Sequence, residues 1–257
     1  MPTSVDVAAI VQDEEEIIPL MLRACESLLP NLRSVVIVDG GSRDGTIDVI
    51  RSWMDRLPID LVGHPFDNFC YQRNRALERC TADFIIKGDA DLTWGKNLRD
   101  KLVELAADPA LFFDCLVYFC VQDAYHAWRN NNPGYATVLW KNVGARYVRP
   151  IHEYLVLPGQ ENPQDRLSMN RRDWESIRSK LKCVSVPFFD NSLRKSDEAL
   201  RHRARRYAKW GKLSGEAGIP LPTDDDGWCV RNKQALLASD NWGPMPKWVQ
   251  DLVIEGA

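Results

Sequence analysis

Paired cysteine motifs and long apolar runs are both missing from this chain of 257 residues. Seven cysteines are scattered without one C-x-x-C, and the nearest pair, Cys115 and Cys120, falls within a strand-like apolar run. An odd, dispersed set argues against a disulfide frame or a zinc site and predicts reduced, mostly buried thiols in a cytoplasmic setting. The most apolar window, LFFDCLVYFCV, contains Asp114 and is too short for a membrane span. The first residues, MPTSVDVAAIVQDEEE, turn acidic where a signal peptide would stay apolar. A formal net charge of -3 is too small to drive general binding to polyanions, so any nucleic-acid or membrane surface would be local. No internal repeat or low-complexity tract is evident. What remains, at 45% hydrophobic and 27% charged residues, is the composition of a folded protein: one large α/β domain, or one domain with a smaller appendage.

The first half alternates in type. VDVAAIV (5–11), SVVIVD (34–39), IDLVGH (59–64) and DFIIKG (83–88) are apolar runs of strand length. Between them lie helical spacings: Leu20, Ala24 and Leu28, with the DEEE acids expected in that helix's first turn; Ile47, Ile50, Met54 and Leu57; and DNFCYQRNRALERC, capped by Asp67 or Asn68. Leu98, Leu102 and Leu105 mark a fourth helix. Apolar strands separated by helices predict a parallel sheet covered on both faces, with ligands bound beyond the carboxyl ends of the strands. Asp39 and the pair Asp89/Asp91 fall at such ends. From about residue 111 strands follow one another without helices between them. Residues 160–180 are polar with Trp174, Ile177 and Leu181 at helical spacing, and SDEALRHRARRYAKWGKL (196–213) reads as a basic helix. The tail from 219 carries no assignable pattern.

Asp-x-Asp at a strand end suits a hard divalent cation, which takes oxygen ligands from one or two carboxylates, substrate phosphates and water. Taken alone it is equally a solvated turn in which Asp91 caps a helix. In VVIVDGGSRDGT, Gly40-Gly41 permit a tight turn and close ligand approach. Ser42 or Asp44 can cap the next helix, and Asp39 can accept hydrogen bonds from a base or ribose. Arg73 and Arg75 precede the strand that carries the pair, and one of them can reach a phosphate.

The ordered set IVQDEEE, VVIVDGGSRDGT, YQRNRALERCTADFIIKGDAD and VLWKNVGARYVRPIHEYLV resembles family 2 glycosyltransferases of the GT-A fold over roughly residues 5 to 157. The resemblance implies a Rossmann-like, mostly parallel sheet flanked by helices. Its nucleotide-sugar half would span residues 1–110, an acceptor-side half of mixed strands 111–190, and a C-terminal helical extension 191–257. It implies that Asp39 contacts the nucleotide base, that Gln12 and Glu15 from the first-strand motif line the same pocket, and that Gly41 and Ala90 border the donor. Arg73 would approach the base or diphosphate, and Asp89 and Asp91 would hold the nucleotide sugar through Mn²⁺ or Mg²⁺. Two departures stand out: Gln12-Asp13-Glu14-Glu15 where the family has Asn-Glu, and Gly40 where a polar residue follows the strand-end Asp.

Sugar transfer with inversion needs a base for the acceptor's proton. Glu153 and His152 are the candidates, with His152 equally a further metal ligand; Asp123 is a weaker one. The expected reaction is metal-dependent transfer from a nucleotide-diphosphate sugar, uridine-linked by expectation. Two rivals stay open: a haloacid-dehalogenase-type phosphatase using DADLT, with Asp89 as nucleophile and metal ligands from the acids at 224–226, and a binding module without turnover. The basic helix, with Arg201, Arg203, Arg205, Arg206, Lys209 and Lys212, reads mainly as a solvated face, with acceptor or diphosphate contact as its functional reading. The acceptor itself stays open among a protein, a glycan, a lipid-linked glycan, a small metabolite and a modified nucleic-acid base.

Overall fold

The computed structural model describes residues 3–129, 133–148, 153–159, 177–214, 228–239 and 241–256. Twelve strands are present among them: β1 (Val5–Val11), β2 (Leu32–Asp39), β3 (Ile59–Gly63), β4 (Phe84–Asp89), β5 (Leu92–Trp94), β6 (Phe112–Phe119), β7 (His126–Trp128), β8 (Gly134–Lys141), β9 (Arg146–Val148), β10 (Tyr154–Val156), β11 (Leu181–Asp190) and β12 (Trp242–Pro244). The helices are α1 (Ile18–Glu26), α2 (Thr46–Arg51), α3 (Phe69–Leu77), α4 (Leu98–Ala106), α5 (Asp197–Ser214), α6 (Trp228–Leu237) and α7 (Lys247–Gln250).

Eight strands form one sheet in the order β3-β2-β1-β4-β8-β6-β11-β5. The first four are parallel. β8 runs antiparallel between β4 and β6, β11 returns parallel to β6, and β5 closes the edge antiparallel to β11. The same sheet therefore continues from residues 1–110 into 111–190.

β1 shows why the central strands are mostly apolar. Val5, Val7, Ala9 and Val11 pack into one core with Met21 and Leu22 of α1 and Leu98 and Leu102 of α4, whereas Ala8 faces a second core with Val36, Ala76, Leu77 and Trp140. Side chains alternate with period two, so a strand buried on both faces has no position free for water. Each fully buried Leu or Met contributes about 1.5–3 kcal/mol.

Two details differ from the sequence reading. α1 starts only at Ile18, with Pro19 in its first turn and no acid there. Proline is preorganised for that position, and Asp13 to Glu16 are left in the preceding loop. β11 was not anticipated, because Pro187 lacks an N–H and so argues against a paired strand. The register between β11 and β6 shifts between Val184 and Pro187, and this irregularity accommodates the proline inside the sheet. Of the residues expected at helical spacing, Leu181 instead begins β11, and Trp174 lies outside the described residues. Asn68 caps α3, accepting a hydrogen bond from Tyr71 N at 2.8 Å.

The register levels the functional rim. Val11 pairs with Asp39 and Ile10 with Asp89. Asp190 ends β11 opposite Leu92, the residue after Asp91. Among the described residues, no helix is long and apolar enough to cross a membrane.

Candidate functional site

A cleft of about 350 Å³ opens at this rim, within the range of small-molecule sites. Ile10, Val11, Gln12, Glu14, Phe66, Phe69, Arg73, Lys87, Asp89, Ala90, Asp91, Glu153, Asp190, Lys195 and Arg203 line it.

The loop after β1 is knitted to the loop after β2. Asp13 adopts φ 53; its N–H donates to Ser42 Oγ (2.9 Å) and its Oδ1 accepts from Arg43 N (2.7 Å). Glu14 N donates to Thr46 Oγ1, and the Glu15 carboxylate accepts from Gly45 N. These bonds leave the Glu14 side chain in the cleft and turn Glu15 away from it. Asp39 serves the same loop: its oxygens accept from Gly41 N (2.9 Å), Ser42 N (3.1 Å) and Ser42 Oγ (2.5 Å). Gly41 holds φ 94 in that turn, which favours glycine. Neither Asp39 nor Gly41 lines the cleft, although Gln12 Nε2 donates to Gly40 O (3.2 Å) just beside them. Phe66 and Phe69 stand edge to face at 5.0 Å on the same side.

At the end of β4, Arg73 is the organising cation. Its side chain, 6% exposed, donates from Nη2 to Asp89 Oδ1 (2.6 Å), from Nε to Glu153 Oε1 (2.5 Å) and from Nη1 to Gly88 O (3.3 Å). Lys87 Nζ lies 3.3 Å from the other Asp89 oxygen. Burial pushes the Asp89 carboxyl up, but the Arg73 and Lys87 charges outweigh it and hold Asp89 below the usual carboxylate range. Asp91 is held by a different pair: Lys195 Nζ at 2.9 Å and Arg203 Nη1 at 3.3 Å, both on Oδ2. Burial again opposes ionisation, and Lys195, then Arg203, overcome it, so Asp91 stays an anion. Lys195 also meets Glu14 at 2.6 Å. Burial favours the neutral amine, yet Asp91 and Glu14 keep Lys195 above its ordinary value. Asp190 goes the other way: burial, then the Asp91 charge, raise it.

Of the residues that the sequence reading assigns to the site, the structure brings Gln12, Arg73, Asp89, Ala90, Asp91 and Glu153 together in the cleft. Glu15, Asp39 and Gly41, expected in the donor pocket, instead stand in the supporting loops outside the cleft lining, because their polar groups are taken up by hydrogen bonds within those loops. His152 lies outside the described residues, as do the acids at 224–226. Asp123, outside the cleft lining, pairs with His126 Nδ1 at 2.9 Å. Glu14, Lys87, Asp190 and Lys195 were not singled out. Lys87 sits in the strand that carries the pair. Asp190 ends β11, the strand that contains Pro187, and Lys195 follows it.

Five carboxylates and four cations line the cleft, so its lining charges balance to within one. Among the described residues no cluster of three or more His, Cys, Asp or Glu side chains is disposed to hold a metal. Asp89 and Asp91 nevertheless supply the hard oxygen donors that Mg²⁺ or Mn²⁺ takes when phosphates and water complete the shell.

Comparison with known proteins is consistent with this geometry. The lipopolysaccharide core biosynthesis glycosyltransferase LpsC of Rhizobium meliloti (strain 1021) is 37% identical over 87 residues, a region spanning 34% of this chain and 32% of that relative. Among solved structures, S. aureus TarS 1-349 superposes with a TM-score of 0.52 at 13% identity, covering 92% of this chain and 70% of that one. A mannosyltransferase from Pyrobaculum calidifontis, in complex with GDP-Man and Mn²⁺, gives a TM-score of 0.52 at 16% identity, covering 93% of this chain and 75% of that one. Both have the GT-A architecture seen here. The family model for glycosyl transferase family 2 matches residues 7–174, most of the strand-and-loop framework described above, and the chain belongs to that family.

Proposed function

We propose that this protein transfers a sugar with inversion from a nucleotide-diphosphate donor, uridine-linked as the first expectation, in a reaction that needs Mn²⁺ or Mg²⁺. The observation that carries the reading is the paired arrangement at the end of β4: Asp89 and Asp91, two residues apart and each ion-paired, in the lining of an almost neutral cleft. A donor diphosphate brings two negative charges into that cleft, and nothing in the cleft is in excess to meet them. A divalent cation on Asp89 and Asp91, with His152 as a further candidate ligand, would supply the missing charge and stabilise the departing diphosphate.

The chain's own residues divide the remaining work. Gln12 and the Phe66/Phe69 pair offer a polar edge and an aromatic face to the base, since every base stacks on such a face. Asp39 acts there through the loop it holds. Arg73 fixes Asp89 and Glu153 relative to each other, so the candidate base and the metal-binding carboxylate share one anchor. Glu153, at the acceptor side, takes the acceptor's proton as the anomeric carbon is attacked. Structures of TarS with UDP-GlcNAc and of the mannosyltransferase with GDP-Man and Mn²⁺ support a nucleotide-sugar donor. The family match sets aside the phosphatase reading of DADLT. Cys25, Cys80, Cys115 and Cys120 are buried thiols, which suits the cytoplasmic setting proposed here. The acceptor stays open among the classes named above.

The test is release of nucleoside diphosphate from a panel of UDP- and GDP-sugars with Mn²⁺, Mg²⁺ or EDTA. The reading expects turnover only with a metal, and none from Asp91→Ala that is folded by circular dichroism. Donor binding by calorimetry without transfer to any acceptor would favour the non-catalytic module. Neither binding nor turnover from any donor would refute both.

A further inference from the structure

Lys195 is a buried cation to which the proposed reaction has so far given no part. Its side chain is 3% exposed, and burying an ammonium is unfavourable unless it is well paired. The turn that carries it, between β11 and α5, is tied down on several sides. Asn191 N donates to Asp91 O (2.7 Å), Ser196 N to Glu16 Oε1 (2.9 Å), and Lys233 Nζ to Lys195 O (2.7 Å). The turn places Lys195 in the lining of the cleft. Arg203, on α5, reaches the same Asp91 Oδ2. Lys195 is shared between Asp91 and Glu14, so these cations are matched while the cleft holds no donor; a divalent cation on Asp91 would displace Lys195 and Arg203 from Oδ2 and leave both beside the diphosphate that the cation accompanies.

We propose that Lys195 and Arg203 are the chain's own contacts to the donor diphosphate, delivered by the β11–α5 turn and held on Asp91 until the donor arrives. The proposal rests on the donor reading above and adds its phosphate-binding residues. It has a consequence that a structural role lacks. Lys195 competes with a divalent cation for Asp91, and it also attracts phosphate. Removing it should leave the cation bound at least as tightly and the nucleotide more weakly.

Calorimetry on the full chain tests this, with Mn²⁺ alone, then UDP, GDP, UMP and GMP each in saturating Mn²⁺. Loss of a charge-assisted hydrogen bond corresponds to about ten-fold or more in affinity. Lys195→Met is therefore expected to bind the better of UDP and GDP about ten-fold more weakly, the monophosphates with a smaller loss, and Mn²⁺ alone with unchanged or higher affinity. Lys195→Arg, which keeps the charge, should recover most of the nucleotide affinity. Arg203→Met, at a more exposed position, should repeat the pattern and keeps the test open if Lys195→Met fails to fold. Unchanged diphosphate affinity in the folded variants, or parallel loss of Mn²⁺ and nucleotide, would overturn the proposal alone. A wild-type protein that binds neither UDP nor GDP would overturn the donor reading with it.

Discussion

Replacing Arg73 with methionine tests whether one buried cation holds the site together. The substitution keeps much of the apolar volume and removes three donors: to Asp89 at 2.6 Å, to Glu153 at 2.5 Å and to Gly88 O at 3.3 Å. It leaves two carboxylates in a largely desolvated place without their shared partner. Breaking a buried ion pair by removing one member costs about 3–5 kcal/mol. Asp89 keeps Lys87 at 3.3 Å on its more exposed side, which points to the lower end, about 3 kcal/mol. For a chain of this size that is a fall in Tm of about 6–12 °C, read by circular dichroism at pH 7. Arg73→Lys should recover less than half, because one ammonium cannot span both carboxylates as the guanidinium fork does. Combining Arg73→Met with Asp89→Asn should cost at least about 1 kcal/mol less than the sum of the single changes, as coupled neighbours do. A Tm within 2 °C of wild type, or strict additivity, would refute the bridging role; 2 °C corresponds to about 1 kcal/mol or less.

Two further outcomes are expected. Asp91 is held below its unfolded value, so its contribution is present above the ordinary carboxylate pKa of about 3.9 and is lost as pH falls through the lower folded value. The stability advantage of wild type over Asp91→Asn should therefore shrink below about pH 4. Asp190 is raised, so its sign reverses: the advantage over Asp190→Asn should decline as pH rises above that range. Chemical-denaturation curves from pH 3 to 7 check both, and parallel slopes would contradict the assignment. Gly88→Ala would place a Cβ 2.6 Å from Ala9 Cβ, between two strands that cannot part. The expected loss is about 1–3 kcal/mol, the range for overpacking, and a neutral result in urea denaturation would show that β1 and β4 do separate there.

The donor half was legible because its signals are local. Apolar runs such as VDVAAIV, of strand length and alternating with helical spacings, point to strands buried on both faces and paired in parallel. The carboxyl-end placement of Asp89 and Asp91 follows from that topology. What stayed hidden depends on contacts distant in sequence. Asp190 and Lys195 reach the cleft only through β11, and Pro187 disguised that strand. Glu14 and Glu15 are adjacent acids with the same composition signal, and only the hydrogen bonds to Thr46 and Gly45 decide that Glu14 faces the cleft. Asp39 was identified as a functional carboxylate from its strand-end position, while its oxygens are engaged by Gly41 and Ser42. Arg203 is visible within a basic helix, but no periodicity distinguishes the arginine that reaches Asp91 from the other basic residues of that helix.

The most direct test is a crystal structure of the protein soaked with Mn²⁺ and a UDP- or GDP-sugar. The account predicts diphosphate density beyond the end of β4, a cation on the Asp89/Asp91 carboxylates, and Lys195 Nζ moved from Asp91 onto a phosphate oxygen. A nucleotide seated away from that rim, with both aspartates still closed on Arg73 and Lys195, would contradict it.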